Sequence, residues 1–234
     1  MIVGSSCRVV AVLLAITLLT GCRTGADGRI GRCYSLARRP TEGNKHRIEA
    51  MLADRDRDVR TTALVVMGGV DPVRARAMAL RSLEDPDGMV RAAAVELCAE
   101  GADAETVRRL AALSIDDPVW HVRARSLEAI ASSDDPAARE ALVRALSDPV
   151  RHVRRAALRA GIDRPELLPV EQLSRLLATD PDWETRVDAA TALGASRESA
   201  AYAGLAAAAA DPNEFVRATA ARERRELERA GIPP

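Results

Sequence analysis

The sequence predicts an all-α protein, a solenoid of about six two-helix repeats, on three observations. An Asp is followed six residues later by an Arg in six segments: Asp54/Arg60, Asp85/Arg91, Asp117/Arg123, Asp148/Arg154, Asp180/Arg186 and Asp211/Arg217. Successive arginines lie 31, 32, 31, 32 and 31 residues apart, a register that marks stacked structural repeats. Apolar residues make up 47% of the chain and aromatic residues 2%, so the core is built from Ala, Leu and Val, which suits closely packed helices better than strands.

In chain order, the first element is an address. Arg8 is followed by the mostly apolar stretch Val9 to Leu19, which is too short for the ~20 residues of a membrane-spanning helix and fits a secretory signal peptide over residues 1–21. At its end, Leu19-Thr20-Gly21-Cys22 resembles the lipobox of bacterial lipoproteins. That resemblance implies cleavage before Cys22 and acylation of Cys22, which would give stable anchoring to a membrane. An ordinary signal peptide with an incidental cysteine is the alternative. Arg23 follows the cysteine in place of the Asp that resembles an inner-membrane retention signal. The expected location is therefore the cell envelope, on the extracytoplasmic side, with the outer membrane favoured if the organism has one.

Residues 22–43 are rich in Gly and Arg without a sustained apolar period, and read as a flexible tether. The repeat domain is expected over residues 44–234, with 44–53 a lone helix covering the first unit. Within a unit, Asp-Pro reads as a helix start, because Asp caps a free N–H and Pro at the first turn has none to leave unpaired. A first helix of about thirteen residues follows, with apolar positions at helical spacing such as Val90, Ala93, Ala94, Leu97 and Cys98. Second starts stand at Asp71-Pro72, Asp103 and Asp135-Pro136. The last segment, from Pro212 to Arg229, turns strongly charged, as the outer face of a terminal repeat must, and Gly231 ends it.

The pattern Asp-Pro-x-x-x-Val-Arg, followed by Ala-rich and Leu-rich positions over about residues 44–229, resembles the HEAT-like repeats of bacteria, including those of phycobilisome lyases. The resemblance implies a right-handed α-solenoid of about six two-helix HEAT-like repeats. It also implies that the recurring Asp and Arg form a ladder between neighbouring units. Within one helix the two would sit about 240° apart and ~9 Å along the axis, where they cannot pair.

Charge narrows the function. Without residues 1–21 the chain carries 33 basic and 34 acidic residues, and so lacks the basic excess of a nucleic-acid binder. No nucleophile motif or Gly-rich phosphate loop is present, so the expectation is not an enzyme, with no catalytic residue and no cofactor. His121 and His152 occupy equivalent places in adjacent units but have no third ligand at metal-binding spacing, and no metal is expected. Trp120 and Trp183 share a repeat position and read as packing at the helix start. Cys98 lies on an apolar helix face, and a Cys33–Cys98 bridge is left open.

The best binding candidate is a stripe. Counting nine residues back from successive repeat aspartates gives Arg76, Arg108, Arg139, Glu171 and Tyr202, with Arg81 and Arg144 nearby. In the family it resembles, second helices line the concave face, where such a row of arginines would suit an acidic peptide or another protein partner. An arginine-rich chain would show the same pattern on ordinary solvated helices. Arg151, Arg155 and Arg159 share a first-helix face and read as plain surface. The function expected is a membrane-anchored scaffold for protein–protein interaction in the envelope. The alternative is a chromophore-lyase-like or other enzyme built on HEAT-like repeats.

Overall fold

The computed structural model describes residues 25–233, so the signal-peptide and Cys22 readings lie outside the described residues. Thirteen α-helices and no strand are found among them, and the protein is an α-solenoid. In chain order the helices are α1 (Gly25–Ala37), α2 (Glu42–Ala50), α3 (Arg57–Val70), α4 (Pro72–Ser82), α5 (Gly88–Ala99), α6 (Ala104–Asp116), α7 (Trp120–Ile130), α8 (Pro136–Ala145), α9 (Arg151–Asp163), α10 (Val170–Thr179), α11 (Trp183–Ser196), α12 (Ala201–Ala207) and α13 (Glu214–Arg229). First and second helices alternate from α1 to α12, and α13 is a first helix that closes the series. Contacts divide the chain into two compact units, one up to Leu97 and one from Cys98 onward.

In the unit up to Leu97, α1 packs on α3, and α2 packs beside both. The flexible tether expected over 22–43 is therefore corrected: from Gly25 onward it is folded. Cys33 and Leu36 are buried on α1, three residues apart and so on one face, and Ile48 is buried on α2. This pair is an additional repeat. Arg29 stands 31 residues before Arg60, in register with the other repeat arginines, and it forms an ion pair with Asp54 at 2.7 Å. The Asp–Arg pattern does not reveal this repeat, because Arg23 occupies the place six residues before Arg29 where the others have Asp.

In the unit from Cys98, first helices stack on first helices, α7 on α9, α9 on α11 and α11 on α13. Second helices stack likewise, α6 on α8 and α10 on α12. Leu127, Ile130, Leu142, Leu158, Leu173, Leu177 and Leu193 are fully buried between these layers. Each is branched or aliphatic, so burial removes apolar area from water without leaving a polar group unpaired. Gly161 on α9 is a close-approach position: a Cβ there would lie 2.2 Å from Leu168 Cδ1.

The start of each first helix also differs from the expectation. The helices begin three residues after the repeat Asp, not at it. Asp54, Asp85, Asp117, Asp148, Asp180 and Asp211 each accept the N–H two residues on, at 2.8–2.9 Å, closing an Asx turn in which Pro takes the next position in all but the first, where Arg55 stands. Second helices start as expected: Asp71, Asp103 and Asp135 are N-caps, and Pro72 and Pro136 occupy the first turn. At the other end of the series, Gly231 has φ +71°, and the Gly231 and Ile232 N–H groups bond to the carbonyls of Glu228 and Leu227, which ends α13 in a Schellman motif.

Cys33 and Cys98 are both buried free thiols, so the bridge left open by the sequence is not formed. Burial raises the Cys33 thiol to about 11, which keeps it protonated and unreactive.

Candidate functional site

Two sets of arginines define the chemistry of the surface. The first is the ladder at the starts of the first helices. Arg60 donates from Nε and Nη2 to the Asp85 carboxylate, both at 2.8 Å. Arg123 holds Asp148 at 2.7 and 2.9 Å, Arg154 holds Asp180 at 2.6 and 2.8 Å, and Arg186 holds Asp211 at 2.8 and 3.0 Å. Each fork thus crosses from one repeat to the next. The remaining nitrogen, Nη1, turns back to the carbonyl of its own repeat Asp, as for Arg60 to Asp54 at 2.9 Å and Arg91 to Asp85 at 2.8 Å. That contact is possible because the Asp lies in the turn before the helix rather than within it.

Asp85, Asp148, Asp180 and Asp211 each therefore accept a guanidinium fork together with a backbone N–H, a charge-assisted arrangement stronger than a neutral hydrogen bond. The fork of Arg186, with burial opposing it, holds the Asp211 carboxyl below the usual carboxylate range. The Asp56 N–H and then Arg29 do the same for Asp54. The guanidinium groups of Arg60, Arg123 and Arg186 are raised by their Asp partners and stay charged. Arg217 bonds to the carbonyls of Asp211 and Pro212 and is exposed.

Beside the ladder, Arg151 and Arg155, expected as plain surface, are ion-paired. Arg151 reaches Asp182 at 2.8 Å, and Arg155 reaches Asp188 and Glu184 at 2.7 Å each. The repeat tryptophans pack between units: Trp120 stacks on His152 with ring centres 4.9 Å apart, and Trp183 on Phe215 at 5.5 Å. His152 is thereby a stacking partner. Among the described residues no group of three or more His, Cys, Asp or Glu side chains is placed to hold a metal ion.

The second set is the predicted stripe on the second helices, and the structure splits it. Arg76 is half-buried and Arg81 pairs with Glu49, both in the unit up to Leu97. Arg108, in the other unit, pairs with Glu105 at 3.2 Å on its own helix. Tyr202 is not part of an exposed row: it is buried, and its hydroxyl donates to the Ile232 carbonyl at 3.0 Å. The segment after α13 returns to cover it, which the second-helix spacing alone does not show. Arg139 and Arg144 remain, exposed on α8 and without an ion pair among the described residues.

Arg139 lines a cleft of about 610 Å³ together with Leu168, Val170, Glu171, Ser174 and Glu198. Arg139 and Glu171, neighbours in the predicted row, are thus brought to one place. The cleft opens between α8 and α10, where the 3-10 turn Pro165–Leu167 lengthens the connection from α9. No Asp starts α10; Pro169 precedes it without a side-chain cap. The sequence signal for the cleft was this irregularity, a second helix lacking the usual start. Apolar side chains of Leu168 and Val170 line it together with the Arg139 guanidinium and the carboxylates of Glu166, Glu171 and Glu198.

A family model described as HEAT repeats matches residues 44–131 and 160–223. No curated protein matches the sequence. Among solved structures, an Escherichia coli protein, YibA, is 18% identical with a TM-score of 0.59, over 90% of this chain and 80% of that one. A designed armadillo repeat protein in complex with the peptide (KR)4 is 18% identical with a TM-score of 0.57, over 77% of this chain and 98% of that one. An engineered protein is 19% identical with a TM-score of 0.54, over 80% and 97%.

Proposed function

This chain belongs to the HEAT-repeat family, and on that premise we propose that it is a non-enzymatic scaffold that binds a protein partner in the bacterial cell envelope, anchored through lipidated Cys22. The observation that carries the reading is the contrast between the two arginine sets. Ladder arginines are held by carboxylates of the next repeat, whereas Arg139 and Arg144 stand exposed and without an ion pair among the described residues, Arg139 at a cleft of mixed apolar and polar lining. A guanidinium left in this way is a recognition group for carboxylates. The designed armadillo neighbour carries a basic peptide; here the arginines call for the opposite sign, an acidic segment.

The anchor reading is supported by Leu19-Thr20-Gly21-Cys22 after an apolar stretch of signal-peptide length. The experiment is a crosslinking pull-down from the native envelope with the full chain and with Arg108, Arg139 and Arg144 changed to Glu. The triple variant should lose one or more partners of the unmodified chain while melting at a similar temperature. Identical partner sets would remove these arginines from the binding role.

A further inference from the structure

The N-terminal helix pair carries a surface that the scaffold role leaves unexplained. Residues 25–50 hold six basic and three acidic residues, while residues 51–234 hold 26 basic against 31 acidic. Two of the six cations are engaged: Arg29 by Asp54, and Lys45 by Glu42 and Asp71. The other four, Arg32, Arg38, Arg39 and Arg47, are exposed and make no ion pair among the described residues. Arg32 lies on α1, Arg38 and Arg39 occupy the turn into α2, and Arg47 is in the last turn of α2.

A solubilising end cap does not require this excess. The helix α13 is also strongly charged, yet three of its five arginines are offset by glutamates: Arg222 pairs with Glu223, Arg224 with Glu228 and Arg229 with Glu226. What distinguishes the N-terminal pair is its place in the chain. Cys22 lies three residues before Gly25, where α1 begins. A short link of three residues reaches at most about 10 Å, so an acylated Cys22 would hold this basic pair against the bilayer surface.

We propose that the exposed face of α1, α2 and their turn is a docking surface for anionic phospholipid headgroups, with Arg32, Arg38, Arg39 and Arg47 as the contact residues. The proposal rests on the Cys22 anchor reading for its orientation, and adds an electrostatic attraction to anionic headgroups beside the acyl anchor. Guanidinium forks match phosphate oxygens bidentately, and four of them within one helix pair suit a plane of phosphates better than a single soluble anion.

The test uses the full chain carrying Cys22→Ser, so that no acyl chain contributes, and vesicles of phosphatidylcholine with and without phosphatidylglycerol. The measured quantity is the ratio of binding to the two vesicle types, because the apolar segment Val9 to Leu19 acts equally on both. The ratio should be well above one, fall roughly fivefold for each arginine changed to Gln, and collapse at high salt. The double variant Arg38→Gln with Arg39→Gln gives an intermediate value and a second route if the quadruple variant does not fold. A ratio near one, or an unchanged ratio in both variants, overturns the proposal. So does release from the vesicles by duplex DNA at equal phosphate concentration, which would mark a nucleic-acid surface instead. The mass of Cys22 in the unmodified chain tests the anchor reading separately.

Discussion

The starts of the first helices and the exposed face of α8 use the same residue type under opposite conditions. At the first-helix starts, Arg60, Arg123, Arg154 and Arg186 are each fixed by a carboxylate of the next repeat and a carbonyl of their own. On α8, Arg139 and Arg144 stand in solvent. The difference shows how a repeat protein separates structure from recognition. A contact that recurs every repeat can be buried and made structural, while a position one helix away stays free to vary with the partner. Arginine suits both roles because its planar fork matches a carboxylate whether that carboxylate lies in the next repeat or on another molecule.

The comparison predicts a graded series of substitutions. Arg154→Ala has the largest expected effect, because it leaves the buried Asp180 carboxylate without its guanidinium. Removing one partner of such a pair costs on the order of 3 kcal/mol, read as a lower urea midpoint. Gly161→Ala follows, at about 1–3 kcal/mol for overpacking against Leu168, with a drop in melting temperature as the readout. Arg139→Ala should change stability by less than about 0.5 kcal/mol while weakening partner capture. A loss of stability for Arg139→Ala as large as that for Arg154→Ala would erase the distinction between the two sets.

Acid should act on the ladder through Asp211 and Asp54. Asp211 and Asp54 are held below the ordinary carboxylate value in the folded chain. The folded state therefore keeps these groups ionised where the unfolded chain would protonate them. Their contribution is fully present above the unfolded value of about 3.9 and is lost as pH falls through the folded values. The urea midpoint should thus respond to these groups only below about pH 4–5, and Asp211→Asn should flatten that acid response.

How much of this was legible in the sequence depended on whether one residue type marked one geometry. The period of the repeat arginines located every first helix from α3 to α13, and Asp71, Asp103 and Asp135 located second helices by their caps. The repeat Asp-Pro misled about the first-helix starts, because an Asx turn and an N-cap place the same two residues next to a helix. The α1–α2 pair was hidden by Arg23 in the Asp position and by Gly25, Gly28 and Gly31, a composition that reads as a linker when only local propensity is considered. Burial of Cys33 and Leu36 against α3 overrides that propensity. The cleft at Arg139 depends on a connection whose conformation is set by packing, with Leu168 seated against Gly161. Periodicity carries no information of that kind.

The most direct test of the inter-repeat ladder is a double-mutant cycle on Arg123 and Asp148, with urea unfolding of the two single variants and the double variant. A ladder that ties repeats together predicts strong coupling, with the double variant costing less than the two singles combined by on the order of 2 kcal/mol. Additive losses would mean that each residue serves only its own repeat, and the ladder would not hold the solenoid together.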